Sequence, residues 1–493
     1  MSVEHLTTAQ ARSDKTPLCV DLDGTLIHGD LLYEAVFAAL KRSPGATFEL
    51  LGAMLQGRLA VKHVLARVAP FDPALLPYRI DLVEYLRQER AMGRPIHLVT
   101  ASPTAWAEQV AAHLGIFDAV YGSESVNLKG AAKARFLAES HPDGYDYIGD
   151  AKADLHVWNG SRRVLRAGRG TRLQLADAKT SHRDFPTNVF PPLPLLRAMR
   201  PHQWLKNLLI FLPLCAAHQI DNLGLVIDSA FAFIAFSLAA SATYLFNDLL
   251  DIPSDRAHPR KRTRPFASGA LSIPKGVAGG AILFGAALVI AALIGVGFFV
   301  VLICYILLTV AYSVRLKASM LIDVFTLATL YSVRVIAGGA ATGVPLSVWL
   351  LAFSMFLFLA LAIVKRCAEL VDRTKAVNER ISGRGYFGGD LSVLQSLGSG
   401  SSFSAVLVLS LYAAQPEVTR LYANPALLWF IGPILLYWLS RMMLLAQRGH
   451  MHDDPIVFAL RERKSQILIL VCGLVALAAV KLDMPMGLIL PGQ

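Results

Sequence analysis

The chain has 493 residues, of which 54% are hydrophobic and only 17% charged, and its mean hydropathy is +0.48. A soluble protein carries about 25% charged residues, so this composition excludes a disordered chain and a purely soluble enzyme. The 47 Lys and Arg against 36 Asp and Glu leave a net charge of +11, which on so apolar a chain points to the cytoplasmic face of a membrane rather than to nucleic acid.

The length allows two to four domains. The first 17 residues lack the apolar core of a signal peptide, so the first domain is expected to fold in the cytoplasm. The five cysteines are scattered, with no CxxC, and predict neither a disulfide framework nor a zinc site. Residues 18–23 (LCVDLD), 96–101 (IHLVTA) and 145–150 (YDYIGD) read as buried parallel strands separated by helix-period segments. That is the βαβ pattern of a doubly wound, Rossmann-like α/β sheet. The stretch from about 31 to 94 is helical throughout and too long for a simple crossover, so it is expected to form a helical cap. This first domain is expected to occupy residues 1–185, with a Pro-rich linker over 186–196.

Asp21-Leu22-Asp23-Gly24-Thr25 follows the first strand directly, at the strand end where open α/β sheets bind ligands. One carboxylate there can attack phosphorus and a second, two residues on, can act as general acid, while Gly24 lets the chain turn sharply. Thr100 can donate a hydrogen bond to a phosphate oxygen, and Lys133 supplies a positive charge. Asp150 and Asp154 end the third of these strands with oxygen ligands suited to Mg²⁺. This order of motifs, over residues 16–170, resembles the haloacid dehalogenase superfamily of phosphohydrolases. The resemblance implies Asp21 as nucleophile, Asp23 as acid/base, Thr100 and Lys133 as phosphate stabilisers, and Asp21, Asp23, Asp150 and Asp154 as the carboxylates available to Mg²⁺. Asp23 favours a phosphatase over a dehalogenase, since only the former must protonate an alkoxide.

From residue 197 to 493 the chain reads as an all-α polytopic membrane domain. Its apolar segments reach the ~20 residues a bilayer requires, with about nine predicted helices centred near 212, 235, 284, 303, 331, 356, 404, 435 and 474. Alternate turns are nearly uncharged (218–222, around 295, 342–345, 416–424). The others carry Arg256, Arg260, Lys261, Arg262 and Arg264; Arg315 and Lys317; Lys365, Arg366, Arg373, Lys375, Arg380 and Arg384; and Arg441, Arg448, Arg461, Arg463 and Lys464. The positive-inside rule makes the basic loops cytoplasmic, on the side of the first domain, with the C-terminus outside.

Among those bases stand acids. Asp248, Asp251 and Asp255 are spaced to share one helix face, and clustered carboxylates need a cation between them. Mg²⁺ carrying a diphosphate is the expected occupant. Pro253 is expected to end or kink the helix after Asp251, so that Asp255 reaches in from a loop. This NDxxDxxxD pattern resembles the UbiA superfamily of intramembrane prenyltransferases. The added sequences RPHQWLKN (200–207), HPRKR (258–262), Arg264-Pro265, Tyr312-Ser313, Leu316-Lys317, Asp323, Arg334, Lys365-Arg366, Glu369-Leu370 and Arg384-Gly385-Tyr386 look most like its decaprenyl-phosphate phosphoribosyltransferase branch. The resemblance implies phosphoribosyl diphosphate as donor and a polyprenyl phosphate as acceptor. It makes Asp248 and Asp251 catalytic, with Asp255 completing a Mg²⁺ set, and gives Lys206, Asn207, Asn247, Lys261, Arg262, Lys317, Asp323, Arg334, Lys365, Arg366, Glu369 and Tyr386 to substrate binding. Arg334 could instead pair structurally with Glu369 or another acid. Gly279, Gly280, Gly338 and Gly339 are expected to let helices pack closely.

The joint expectation is a bifunctional, multi-pass inner-membrane enzyme with both active sites cytoplasmic, in which the phosphatase removes the 5-phosphate from lipid-linked phosphoribose. Nucleic acid is not an expected partner, and oligomers are allowed. Two alternatives stand beside it: transfer of a polyprenyl group from its diphosphate to an aromatic or other acceptor, and a phosphatase anchored by a non-catalytic membrane domain.

Overall fold

A computed structural model describes residues 16–42, 44–168, 183–185, 193–373, 384–451 and 454–481. The loop residues Lys375 and Arg380, and positions 186–192 of the predicted linker, lie outside the described residues.

The N-terminal part is a parallel sheet of six strands: β1 (Leu18–Val20), β2 (Ile96–Pro103), β3 (Ala119–Ser123), β4 (Asp146–Gly149), β5 (Val164–Ala167) and β6 (Arg183–Phe185). Their spatial order is β3-β2-β1-β4-β5-β6. Each of Leu18, Cys19 and Val20 is fully buried, because helices cover both faces of the sheet. Four helices precede β2: α1 (Leu31–Arg42), α2 (Pro44–Gln56), α3 (Arg58–Val68) and α4 (Ile80–Ala91). Leu82 and Leu86 of α4 lie in the same core as Leu18, Leu98 and Ile148 of the strands. Leu31, Leu50 and Leu65 of α1–α3 share that core, so α1–α4 together occupy the span expected of the cap. α5 (Thr104–Leu114), α6 (Ala131–Ser140) and α7 (Leu155–Gly160) complete the layers. The chain steps outward from β1 to β3 and returns to β4 on the other flank of β1. The topological switch point therefore falls at the C-terminal ends of β1 and β4, where Asp21 and Asp150 stand.

The remainder is helical. It comprises α8 (Pro194–Met199), a 3₁₀ helix Pro201–Phe211, α9 (Leu212–Ala216), α10 (Leu223–Leu250), α11 (Ile252–Ala257), α12 (Ile273–Ile294) and α13 (Val296–Val314), followed by α14 (Ile322–Thr342), α15 (Val348–Arg373), α16 (Leu391–Ala413), α17 (Pro416–Thr419), α18 (Ile431–Gln447), α19 (Pro455–Arg461) and α20 (Arg463–Lys481). Among the described residues eight helices are long and apolar enough to cross a bilayer, against the nine predicted. The missing one is the segment near 212. Pro213 removes a donor from its hydrogen-bond ladder, and it folds as the 3₁₀ helix, opened by Pro201, with α9 after it.

Large apolar side chains stay exposed along these helices, among them Ile282, Val289, Leu293, Val296 and Leu307, as lipid contact requires. α14 is the most buried span. A Cβ on Gly338 would lie 2.0 Å from the carbonyl oxygen of Ile210, and one on Gly339 2.8 Å from Leu346. The expected close packing is therefore real at these two positions. The chain forms two compact units: the described residues of Met1–Ala198 with Leu245–Gly279, and those of Met199–Tyr244 with Gly280–Gln493.

Candidate active sites

At the end of β1, Gly24 turns the chain with φ +76°, and a Cβ there would lie 2.3 Å from Asp150 Oδ2. The missing side chain is what lets the two loops touch. Lys133 Nζ donates to Asp21 Oδ1 at 2.8 Å and to the Tyr147 hydroxyl at 2.9 Å; Tyr147 in turn donates to Asp154 Oδ1 at 2.9 Å. Asp154 Oδ2 accepts the backbone N–H groups of Asp150 and Ala151, fixing the loop after β4. Carboxylate oxygens of Asp21, Asp150 and Asp154 all lie within 4.8 Å of one another. Burial raises the Asp21 carboxyl above its ordinary range, with Asp154 adding to the effect and Lys133 opposing it. Burial and then Asp21 and Asp154 push Asp150 up to about 7. Acids that raise one another in this way are stabilised in their charged forms by a cation among them. An all-oxygen donor set fits a hard divalent ion such as Mg²⁺.

Asp23 does not join that set, contrary to the expectation that it is among the ligands. Its Oδ2 accepts from Ser102 Oγ at 2.6 Å and its Oδ1 from the Leu31 N–H at 2.8 Å. Burial, then Asp30, pushes Asp23 up to about 8, which keeps it protonated near neutrality. Thr100 is buried within β2, three residues before its end, where its hydroxyl accepts the Ser102 N–H. Sequence reasoning passed over Ser102, Arg79 and Lys62. Arg79 donates to the carbonyls of Gly24 and Thr25. Lys62 reaches from α3 of the cap to the Ala101 carbonyl and, at 2.6 Å, to Asn127 Oδ1. Ser102 carries a legible signal, two positions after Thr100. Lys62 carries none, being one lysine in an amphipathic helix. Cys19, His97 and His141 also gather within 4.8 Å, because strand pairing sets Cys19 beside His97. Spacing along the chain could not show this.

The acidic segment differs from its prediction. α10 ends at Leu250, and Asp251 caps a new helix, α11, with a proline in its first turn. Asp255 therefore stands on a helix, not a loop. The break separates the three carboxylates, and they are not among the described acid groups close enough to share one ion. Asp248 and Asp255 are bridged by Arg264 Nη1, at 3.2 and 2.7 Å, a cation in the place the sequence reading gave to Mg²⁺. Lys261 lies 4.0 Å from Asp255, while Asp251 accepts from Lys41 of α1 at 2.5 Å. Asn247 is half-buried and Arg262 exposed.

In the helical unit the predicted residues separate into two buried clusters. In one, Asp454 Oδ2 lies 2.8 Å from Lys206 Nζ and 3.0 Å from Lys365 Nζ, and Asp454 also accepts from the Tyr331 hydroxyl at 2.8 Å. Burial alone would raise the Asp454 carboxyl, but Lys206 and Lys365 hold it well below the usual range. Arg334 belongs here too. It donates to Asn207 Oδ1 at 2.8 Å and to Tyr305 at 3.2 Å, not to Glu369, and Asn207 donates to Ser237. The other cluster pairs Arg366 with Asp323 at 2.5 Å and with Glu369. Tyr386 donates to Asp323, and Arg384 lies 3.6 Å from Glu369. Arg384 also reaches Tyr312 and the Lys317 carbonyl. Asp323 and Arg366 are fully buried against each other, while Glu369 and Arg384 of the same cluster stay partly exposed. Asp454 was missed, although an acid directly before Pro455 at a helix start is a readable cap signal.

Residues 208–460 match the family model of the UbiA prenyltransferase family, and residues 18–158 that of the haloacid dehalogenase-like hydrolases. The chain is 38% identical over 457 residues to the protein y4nM of Sinorhizobium fredii, covering 92% of this chain and 88% of that one. It is 34% identical to the nodulation protein NoeC of Azorhizobium caulinodans, over 57% of this chain and 91% of that one. It is 31% identical to the decaprenyl-phosphate phosphoribosyltransferase of Mycobacterium tuberculosis, over 56% and 90%.

Proposed function

Because the chain belongs to the UbiA prenyltransferase family and carries a haloacid dehalogenase-like hydrolase domain ahead of that region, we propose that it transfers 5-phosphoribose from phosphoribosyl diphosphate to a polyprenyl phosphate and then removes the 5-phosphate. The observation that carries the first step is the buried cluster of Lys206, Arg334 and Lys365, with Asp454 as its acid. Two lysines share the Asp454 carboxylate and Arg334 stands against Tyr331, its guanidinium 5.7 Å from that ring, so the cluster carries an excess of positive charge that a phosphate group can neutralise. Such charge inside a membrane domain is costly unless used. Lys261, Arg262 and Arg264 beside the acidic segment offer cations to the donor's diphosphate, with Asp248 and Asp255 orienting Arg264. In the reaction the acceptor phosphate oxygen attacks ribose C1, the C1–O bond to diphosphate breaks, and diphosphate leaves.

In the hydrolase domain, Asp21 attacks the 5-phosphorus, with Lys133 holding the nucleophile and balancing charge. Thr100 donates to a phosphate oxygen. Asp23, protonated and held by Ser102, gives its proton to the leaving ribose oxygen and then accepts one from the water that cleaves the aspartyl phosphate. Asp21, Asp150 and Asp154 would hold a Mg²⁺ ion, which when bound would supply charge neutralisation for the phosphoryl group. The charge of the basic loops supports a cytoplasmic position for both sites, at the inner membrane.

The test uses protein in detergent with Mg²⁺, decaprenyl phosphate and labelled phosphoribosyl diphosphate, followed by mass spectrometry of the lipid phase. Lipid-linked ribose is the expected product, its 5-phosphate form accumulating in Asp21→Asn and neither forming in Asp248→Asn. If no ribose reaches lipid while a polyprenyl diphosphate alkylates another acceptor, the general prenyl-transfer reading replaces this one.

A further inference from the structure

The acidic segment and the phosphatase cap meet through a built contact. Glu34, one turn into α1, makes a two-pronged pair with Arg256 of α11: Nη1 to Oε2 and Nη2 to Oε1, both at 2.7 Å. The two side chains are 12% and 7% exposed, so this is a buried, bidentate pair rather than a solvated surface bridge. Arg256 Nε also donates to the Ala267 carbonyl, which fixes the guanidinium from its own side. Two glycines make room. A Cβ on Gly29 would lie 2.3 Å from Glu34 Oε1 and 3.5 Å from Arg256 Nη2. Gly269, with φ +77°, would meet His28 Cβ at 2.5 Å. Lys41 at the end of α1 adds its contact to Asp251.

The path between the two chemistries is short in bonds. Asp23 Oδ1 accepts the first N–H of α1, at Leu31; Glu34 follows on the same turn; and Arg256 is the residue after Asp255. His28, in the loop between β1 and α1, lies five positions after Asp23, against Gly269.

We propose that Glu34 and Arg256 are positioning residues that dock the phosphatase cap onto the acidic segment, so that the phosphorylated lipid passes from transfer to hydrolysis without mixing with the surrounding lipid pool. This rests on the function proposed above and goes beyond it. A flexible tether raises the effective concentration of one domain near the other, whereas a buried bidentate pair fixes which face of the phosphatase meets the acidic segment.

The experiment supplies labelled phosphoribosyl diphosphate and polyprenyl phosphate to the full-length protein in nanodiscs, together with excess unlabelled polyprenyl-phosphoribose. In the wild type, dephosphorylated lipid should appear without a lag, carrying label about tenfold above the level set by free mixing. In Glu34→Ala and Arg256→Ala that excess should disappear, while initial rates of transfer, and of hydrolysis of added lipid phosphate, stay within about twofold. The exchange Glu34→Arg with Arg256→Glu should restore the excess, which a merely damaged fold would not. Full mixing in the wild type, or an excess that survives both alanine variants, overturns the hand-off while leaving the proposed reactions standing. Absence of any labelled ribose in lipid overturns those reactions and the hand-off with them.

Discussion

Asp23 and Gly24 carry the predictions that belong to single residues. Burial pushes Asp23 up to about 8, so its acid form is present at neutral pH and is lost as pH rises through that value. Hydrolysis of an alkyl phosphate should therefore fall about tenfold per pH unit above 8, read from kcat/KM against pH in the presence of Mg²⁺. Asp23→Asn should remove this limb and cost about 10²–10⁴-fold. With p-nitrophenyl phosphate the loss should be far smaller, because that leaving group needs no proton. Gly24→Ala faces two obstacles, a left-handed backbone and an Asp150 oxygen 2.3 Å from the new Cβ. About 1–2 kcal/mol of strain at the turn should leave the domain folded, by circular dichroism, yet displace Asp150 and abolish phosphatase turnover.

Among the elements, the loop that leads into α19 holds more than its length suggests. Asp454 caps α19 by accepting the Ile456 N–H and at the same time meets Lys206 and Lys365. Asp454→Ala leaves both lysines without their acid, and breaking a buried pair costs about 3–5 kcal/mol. The detergent-solubilised protein should show a clearly lower Tm, with Asp454→Asn losing less because it keeps a partner for Tyr331. An unchanged Tm in Asp454→Ala would mean that the cluster contributes nothing to stability. The elements also show where pattern reading works. β1, β2 and β4 were legible as apolar runs ending in catalytic residues. β3 and β6 were not, being largely half-buried or exposed, and β5, which is mostly buried but carries Arg166, ends in no motif that marks it. Eight spans followed from apolar length alone. The segment near 212 failed as a single α-helix because Pro213 removes a donor in its middle.

At the scale of the molecule, the alternation of charged and uncharged turns makes an orientation testable. In a background lacking the five native cysteines, Asn222→Cys should react with a membrane-impermeant maleimide from outside intact cells. Ala318→Cys, in a basic turn, should react only after permeabilisation. The reverse pattern would invert the assignment of both active sites to the cytoplasm. The sequence alone determined that this is a membrane-embedded transferase region preceded by a phosphatase-like domain. Apolar length, charge bias and compact motifs such as DxDGT are properties of neighbouring residues, and they survive being read along a line. Only the tertiary structure decided which charge meets which. Asp248 and Asp255 share Arg264, Asp251 turns to Lys41, Arg334 takes Asn207 rather than Glu369, and Lys206 finds Asp454 248 positions away. A carboxylate's partner is set by distances of 2.5–3.2 Å that packing alone creates, and no spacing in the chain encodes them.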